Sequence, residues 1–123
     1  MTDRVKFIEH QGRRILHIDW TNGSAEEILA AMAEAQKIIA SQPPASVLTL
    51  TSVHEAKVTR AVTEELKAYV AHNKPYVLAG AVVGLNDLKM IIFNFVNRVT
   101  GRALRAMDDV ASAKDWLAAT RQI

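Results

Sequence analysis

Two places in the sequence put a histidine beside a carboxylate, the combination that general acid–base catalysis uses. His17 and Asp19 are two residues apart, so on a β-strand their side chains share one face. His54 and Glu55 follow a predicted strand, where open α/β folds gather their active sites. Because no nucleophile elbow and no phosphate-binding glycine loop accompanies either pair, the sequence favours surface or loop polarity over catalysis.

The histidines do not have the spacing of a metal site. His10, His17, His54 and His72 fall in four different elements or loops, and none forms the i, i+4 pair typical of helical zinc ligands. The chain has no cysteine, which excludes disulfides and thiolate ligands and removes the usual covalent support of secreted domains. We therefore predict no metal, no cofactor and a cytoplasmic location.

Length and charge narrow the class of protein further. A chain of 123 residues has the size of one domain. Its 15 basic and 13 acidic residues are interspersed and give a net charge of +2, unlike the concentrated basic stripe of a nucleic-acid-binding surface. The longest apolar run, at 79–84, is far shorter than the roughly 20 residues that cross a bilayer. We predict one domain over 1–123, with no nucleic acid partner and no integral membrane segment.

The elements that must position these residues alternate between strand and helix. Two β-prone runs, 4–9 and 14–20, flank a short polar link with a glycine, which predicts a hairpin. Ser24 and Glu27 have the spacing of a capping box and begin a helix that ends near Ser41, before two prolines.

The second half of the chain continues this alternation and gives the order β-β-α-β-α-β-α-β-α. Strand–helix–strand units predict parallel pairing, and the hairpin adds an antiparallel edge, so we expect an α/β fold with a mixed sheet. The signals in chain order are a strand at 46–51, a helical stripe from Val58 to Val70, a buried strand at 76–84, a helix capped by Asn86 and ended by Gly101, a short strand at 103–107 and a helix capped by Asp109.

The chain resembles small bacterial STAS-like proteins, the relatives of sulphate-transporter and anti-sigma-factor-antagonist domains. The resemblance implies the SpoIIAA-like fold, which the CRAL-TRIO lipid-binding domains share, and a role as a non-catalytic module that binds other proteins. The residues that carry it lie mainly in the second half of the chain, at 73–76 (Asn-Lys-Pro-Tyr), 81–85 (Ala-Val-Val-Gly-Leu), 94–98 (Asn-Phe-Val-Asn-Arg), 101–102 (Gly-Arg) and 113–117 (Ala-Lys-Asp-Trp-Leu).

In the matching place the chain departs from the switch domains of this family. Their phospho-acceptor serine belongs to an Asp-Ser-x-Gly pattern, whereas this sequence has Thr51, Ser52 and His54 there. We therefore expect a binding or regulatory module that acts through protein contacts, as a homo-oligomer or with another protein. The alternatives are a carrier of a small apolar ligand or lipid and, third, an enzyme that uses His17 with Asp19 or His54.

Five residues form the predicted ligand or switch edge. Thr51, Ser52 and His54 follow a central strand, and Gly84 and Asn86 join the next strand to a helix. In a parallel sheet both junctions lie beyond the carboxyl ends of neighbouring strands, where ligands bind in open α/β folds.

The helix after Asn86 is the predicted partner contact. Its apolar residues fill one wide arc that we expect to pack on the sheet, whereas Met90 and Phe93 fall outside that arc and are predicted to meet a partner. Basic residues of this helix and the following strand could form a patch for an acidic partner or a lipid headgroup, although cations near a helix end also complement its dipole. The arc comprises Leu88, Ile91, Ile92, Phe95, Val96 and Val99, and the basic group comprises Lys89, Arg98, Arg102 and Arg105.

Overall fold

The computed structural model describes residues 3–121 and contains one five-stranded sheet with four helices. The strands and helices follow the predicted order and confirm the α/β class with a mixed sheet. Among the described residues, no helix has the length and hydrophobicity needed to cross a bilayer. The elements are β1 (Val5–His10), β2 (Arg13–Asp19), α1 (Ala25–Ala40), β3 (Val47–Ser52), α2 (Arg60–Asn73), β4 (Val77–Val83), α3 (Asp87–Thr100), β5 (Arg105–Met107) and α4 (Val110–Ala118).

The strands lie in the sheet in the same order as in the chain. β1 pairs antiparallel with β2, and β2 to β5 pair in parallel. Every crossover from β2 onward moves one strand in the same direction, so right-handed connections place α1, α2 and α3 on the same face of the sheet. The fourth helix packs on the opposite face.

Local hydrogen bonds explain where the helices begin and end. The Ser24 side chain accepts from the Glu27 amide while the Glu27 carboxylate accepts from the Ser24 amide, so the predicted capping box is present. Asn86 and Asp109 cap α3 and α4 as predicted, and Gly101 ends α3 in a left-handed conformation.

The two faces of the sheet bury two separate apolar clusters. The larger cluster lies under α1, α2 and α3 and includes Ile18, Ile28 and Val62. The smaller cluster lies under α4 and includes Leu50 and Leu117, both completely buried. Because α4 has only nine residues, only a few side chains cover that face of the sheet.

The predicted orientation of α3 is wrong for four of the six residues of its arc. Ile92, Phe93 and Val96 face the sheet, so Phe93 belongs to the packed side of the helix and not to a free partner surface. The other four members of the predicted arc form an exposed apolar stripe instead. This α3 stripe consists of Leu88 (67 % exposed), Ile91 (67 %), Phe95 (40 %) and Val99 (50 %).

Two leucines provide a matched test of this packing. Leu117→Ala removes a completely buried side chain from beneath α4 and should lower the free energy of unfolding by about 2 to 5 kcal/mol. Leu88→Ala truncates an exposed side chain of the α3 stripe and should change the free energy of unfolding by no more than about 0.5 kcal/mol. Urea denaturation measures both, and equal losses in the two variants would contradict the described packing.

Candidate functional site

An apolar cleft lies between α2, α3 and the sheet, with an internal volume of about 80 Å³. Trp20 and Thr51 line it from the ends of β2 and β3, and Tyr69 lines it from α2. The third helix, α3, contributes Lys89 from its first turn and also Phe93 to the wall of the cleft. Part of its lining, including Trp20 and Thr51, therefore lies at the carboxyl ends of parallel strands, where α/β folds bind ligands.

Trp20, which lines this cleft, carries a buried and unpaired hydrogen-bond donor on its indole ring. The side chain is only 4 % exposed, its ring centroid lies 6.4 Å from that of Tyr69, and its Nε1 has no hydrogen-bond partner. A buried donor without a partner costs about 1 to 3 kcal/mol. The unpaired Nε1–H of Trp20 therefore destabilises the folded state, and packing alone gives no reason for it.

Tyr69, a second aromatic residue of the wall with a polar group, already has hydrogen-bonding and charged neighbours. Burial raises the pKa of the Tyr69 phenol, while a hydrogen bond with Asn73 and the positive charge of Arg102 oppose that rise. The phenol is thus neutral and held by its neighbours. Trp20 is the residue of this wall whose buried donor has no hydrogen-bond partner among the described residues.

The helix that roofs the cleft is weakly anchored. Val96 is the one fully buried residue among the 14 of α3, whereas α1 buries Ile28, Met32 and Ile39 together with two alanines. Elements that bury little apolar surface open at a lower free-energy cost than the core. Displacement of α3 would enlarge the cleft that Trp20 lines.

The predicted edge residues are divided between the two faces of the sheet. Thr51 lines the cleft, but Ser52 points to the α4 face, where its Oγ lies 3.2 Å from Nε2 of His17. His54 is exposed, and its ring lies against Gly84. Neighbouring residues of a strand point to opposite faces, so Thr51 and Ser52 cannot belong to one site.

The junction after β4 has a structural role. Gly84 has a φ of +93°, and a Cβ there would lie 2.7 Å from the His54 ring, so this tight turn requires glycine. Asn86 accepts a hydrogen bond from the Lys89 amide. Neither residue lines the cleft, although Leu85 between them does.

His17, Asp19 and Ser52 lie together but do not form a catalytic triad. The Asp19 carboxylate accepts from the Thr21 amide at 3.0 Å, and Ser52 is buried. Burial lowers the pKa of His17; Asp19 opposes this shift and Lys114 reinforces it. The group therefore holds a neutral histidine against a serine that substrate cannot reach.

The basic residues that the sequence suggested as one patch lie in separate places. Lys89 lines the cleft, and Arg98 lies 5.9 Å from the Phe95 ring centroid. Arg102 donates to the Val70 carbonyl oxygen, while Arg105 stacks over Trp116 on the opposite face of the sheet.

Trp20 was not among the predicted site residues. It is the last residue of the predicted strand 14–20, and in the structure it directly follows β2. Its unpaired nitrogen is a consequence of packing, which the sequence does not reveal. Among residues 3–121 no group of three or more histidine or carboxylate side chains is placed to hold a metal ion.

His17 makes the stability of the protein depend on pH. The pKa of His17 is lower in the folded protein than its ordinary value of 6.5. As the pH falls below that value, the unfolded chain therefore binds a proton at His17 before the folded protein does, and the free energy of unfolding decreases. We expect the free energy of unfolding of His17→Gln to fall less between about pH 7 and pH 5 than that of the native protein. His54→Gln, at an exposed histidine, is the control, and parallel pH curves for the native protein and His17→Gln would contradict this assignment.

Comparisons of the chain with protein-family models, with curated proteins and with solved structures found no match. The evidence for its function therefore lies in the fold and in the arrangement of side chains around the cleft.

Proposed function

We propose that this protein is a non-enzymatic binding domain that holds a small, mostly apolar ligand in the cleft between α2, α3 and the sheet. The observation that carries the proposal is the unpaired Nε1–H of Trp20 in the apolar wall. A ligand with one hydrogen-bond acceptor would satisfy that donor. This is the carrier function that the sequence analysis placed second.

The composition of the cleft defines the ligand class. Its walls are almost entirely apolar, and Lys89 is its one charged lining residue in the described part of the chain. Ligand sites typically combine such walls with a few polar groups that fix orientation. Ketones, esters and similar neutral acceptors match an apolar cleft with a neutral donor.

The volume of the cleft limits the size of the first test ligand. Its 80 Å³ is about half the roughly 150 Å³ of an engineered cavity that accepts benzene, so even a five-membered ring requires some displacement of α3 to enter. Cyclopentanone and cyclopentane have similar shapes, and only the ketone has an acceptor. For six heavy atoms we expect a dissociation constant on the order of 1 mM.

The test compares the two rings by NMR, through the methyl signals of Val82 and Val96, which line the cleft. Cyclopentanone should bind the native protein about fivefold more tightly than cyclopentane, because one neutral hydrogen bond contributes roughly 1 kcal/mol. Trp20→Phe removes the donor and should abolish this preference while cyclopentane still binds.

Trp116→Phe is the matched control, since Trp116 lies under α4 on the opposite face. This variant should keep the preference for the ketone. If neither ring shifts the two valine signals in a saturable way, or if Trp20→Phe keeps the preference, the proposal is wrong.

The exposed α3 stripe favours a second function, the protein-contact module that the resemblance to STAS-like domains suggests. Large exposed apolar side chains repeat along one side of this helix, as in helices that pair with a partner. Asp87 lies in the first turn and Arg98 in the last. An antiparallel pair of α3 helices would therefore bring opposite charges together, so we propose a second copy of this chain as the partner.

Sedimentation at micromolar concentration tests this pairing. The native protein should sediment as a dimer, and Ile91→Ser with Phe95→Ser should sediment as a monomer with an unchanged circular dichroism spectrum. Asp87→Arg should weaken the dimer, and addition of Arg98→Asp should restore it. A monomeric native protein, or a dimer that survives both serine substitutions, would contradict the pairing.

A further inference from the structure

A second concave site lies at the opposite end of β4, away from the carboxyl ends of the strands. β5 pairs with β4 only at Ala81–Val83, so the first half of β4 has no strand beside it on that side. The segment 101–104 passes there instead and is fastened to α3 by two hydrogen bonds between Asn97 and the backbone of Leu104. A cavity of about 190 Å³ remains between this segment and β4.

Two cations line this cavity, and none of the described ion pairs includes either of them. Lys74, which ends α2, is exposed, and Arg102 is half-buried. The Arg102 guanidinium makes one hydrogen bond within the described residues, from Nη1 to the Val70 carbonyl oxygen at 2.9 Å. The ion pairs described in residues 3–121 join Arg4 to Glu27, His10 to Asp115 and Arg60 to Glu64.

Burial acts on Arg102 without a carboxylate to balance it. It lowers the pKa of the guanidinium, and the opposing influence comes from the Tyr69 phenol, which is neutral. A buried charge is normally paired, and the ion pairs of the described residues give Arg102 no carboxylate. Its remaining N–H donors are thus available to an anion in the cavity.

The ends of α2 and α3 account for only part of this positive charge. Both helices end beside the cavity, where Lys74 and Gly101 are their C-caps. Each helix end contributes about half a negative elementary charge, so two ends offset about one of the two cations. A net positive charge of about one remains in a concave, partly desolvated place.

We propose that this cavity binds a phosphate group, either as free phosphate or as the monoester of a small molecule. The Arg102 guanidinium and the Lys74 ammonium supply charge-assisted hydrogen bonds, the interactions by which proteins recognise phosphate oxygens. The 190 Å³ volume suits a small anion better than a drug-sized ligand, which needs at least about 300 Å³.

Two glycines keep the walls of the cavity close to these cations. A Cβ at Gly101 would lie 2.8 Å from Nζ of Lys74, and Gly101 also has a φ of +69°. A Cβ at Gly80 would lie 3.7 Å from Nη2 of Arg102 and would collide with Leu104. The backbone of β4 and of the 101–104 segment thus approaches both charged groups where a side chain would intrude.

The test titrates the ¹⁵N-labelled protein with sodium phosphate, and separately with methyl phosphate, at an ionic strength held constant with sodium chloride. The backbone amide signals of Gly80, Gly101 and Arg102 should move and saturate in the millimolar range, and the tighter of the two compounds identifies the free or the esterified form. Lys74→Gln and Arg102→Gln should each weaken binding about tenfold, as expected for loss of one charge-assisted hydrogen bond.

Lys37→Gln is the matched control, because Lys37 is an exposed cation in the last turn of α1 and does not line the cavity. It should bind phosphate like the native protein. If Arg102→Gln does not fold, Lys74→Gln decides, since Lys74 is exposed. Absence of saturable shifts with both compounds, or native affinity in Lys74→Gln, would overturn the proposal, and neither result would affect the ketone binding expected in the apolar cleft.

Discussion

The hand of the strand crossovers is the constraint on which the rest of this structure depends. Because the sheet order follows the chain order from β2 to β5, right-handed connections put α1, α2 and α3 side by side on one face. The last of these three helices lies at the edge of the sheet, beside a strand of only three residues. It is covered by a neighbouring helix on one side only.

That edge position gives α3 its two surfaces. Beneath the helix, Ile92, Phe93 and Val96 pack loosely enough to leave an apolar cleft against Trp20. On its other side, the α3 stripe stays exposed. Because β5 is so short, the first half of β4 has no strand on its β5 side, and Lys74 and Arg102 line the second cavity there.

Local hydrogen bonding made much of the fold predictable, whereas the packing of α3 was not. The caps Ser24, Asn86 and Asp109 depend on residues three positions apart, and each lies where the sequence indicated. By contrast, α3 carries apolar residues around most of its circumference, so periodicity did not decide which side meets the sheet. The role of Trp20 could not be predicted from the sequence, because its neighbours in the folded structure decide whether its donor has a partner.

The division between Thr51 and Ser52 followed from strand geometry and could have been predicted. Consecutive residues of β3 alternate between faces, so the predicted edge was bound to separate into a cleft residue and a partner for His17. The STAS-like identity stays a proposal that depends on the sequence resemblance.

The central claim is that the indole N–H of Trp20 is the donor that receives a ligand in the apolar cleft. The most direct measurement is the ¹H–¹⁵N signal of that indole in Trp116→Phe, which leaves Trp20 as the one tryptophan of the chain. Cyclopentanone should shift the indole proton downfield to a saturating value as the hydrogen bond forms, and cyclopentane should not. An indole proton that stays in place while the methyl signals of the cleft report bound ketone would contradict the claim.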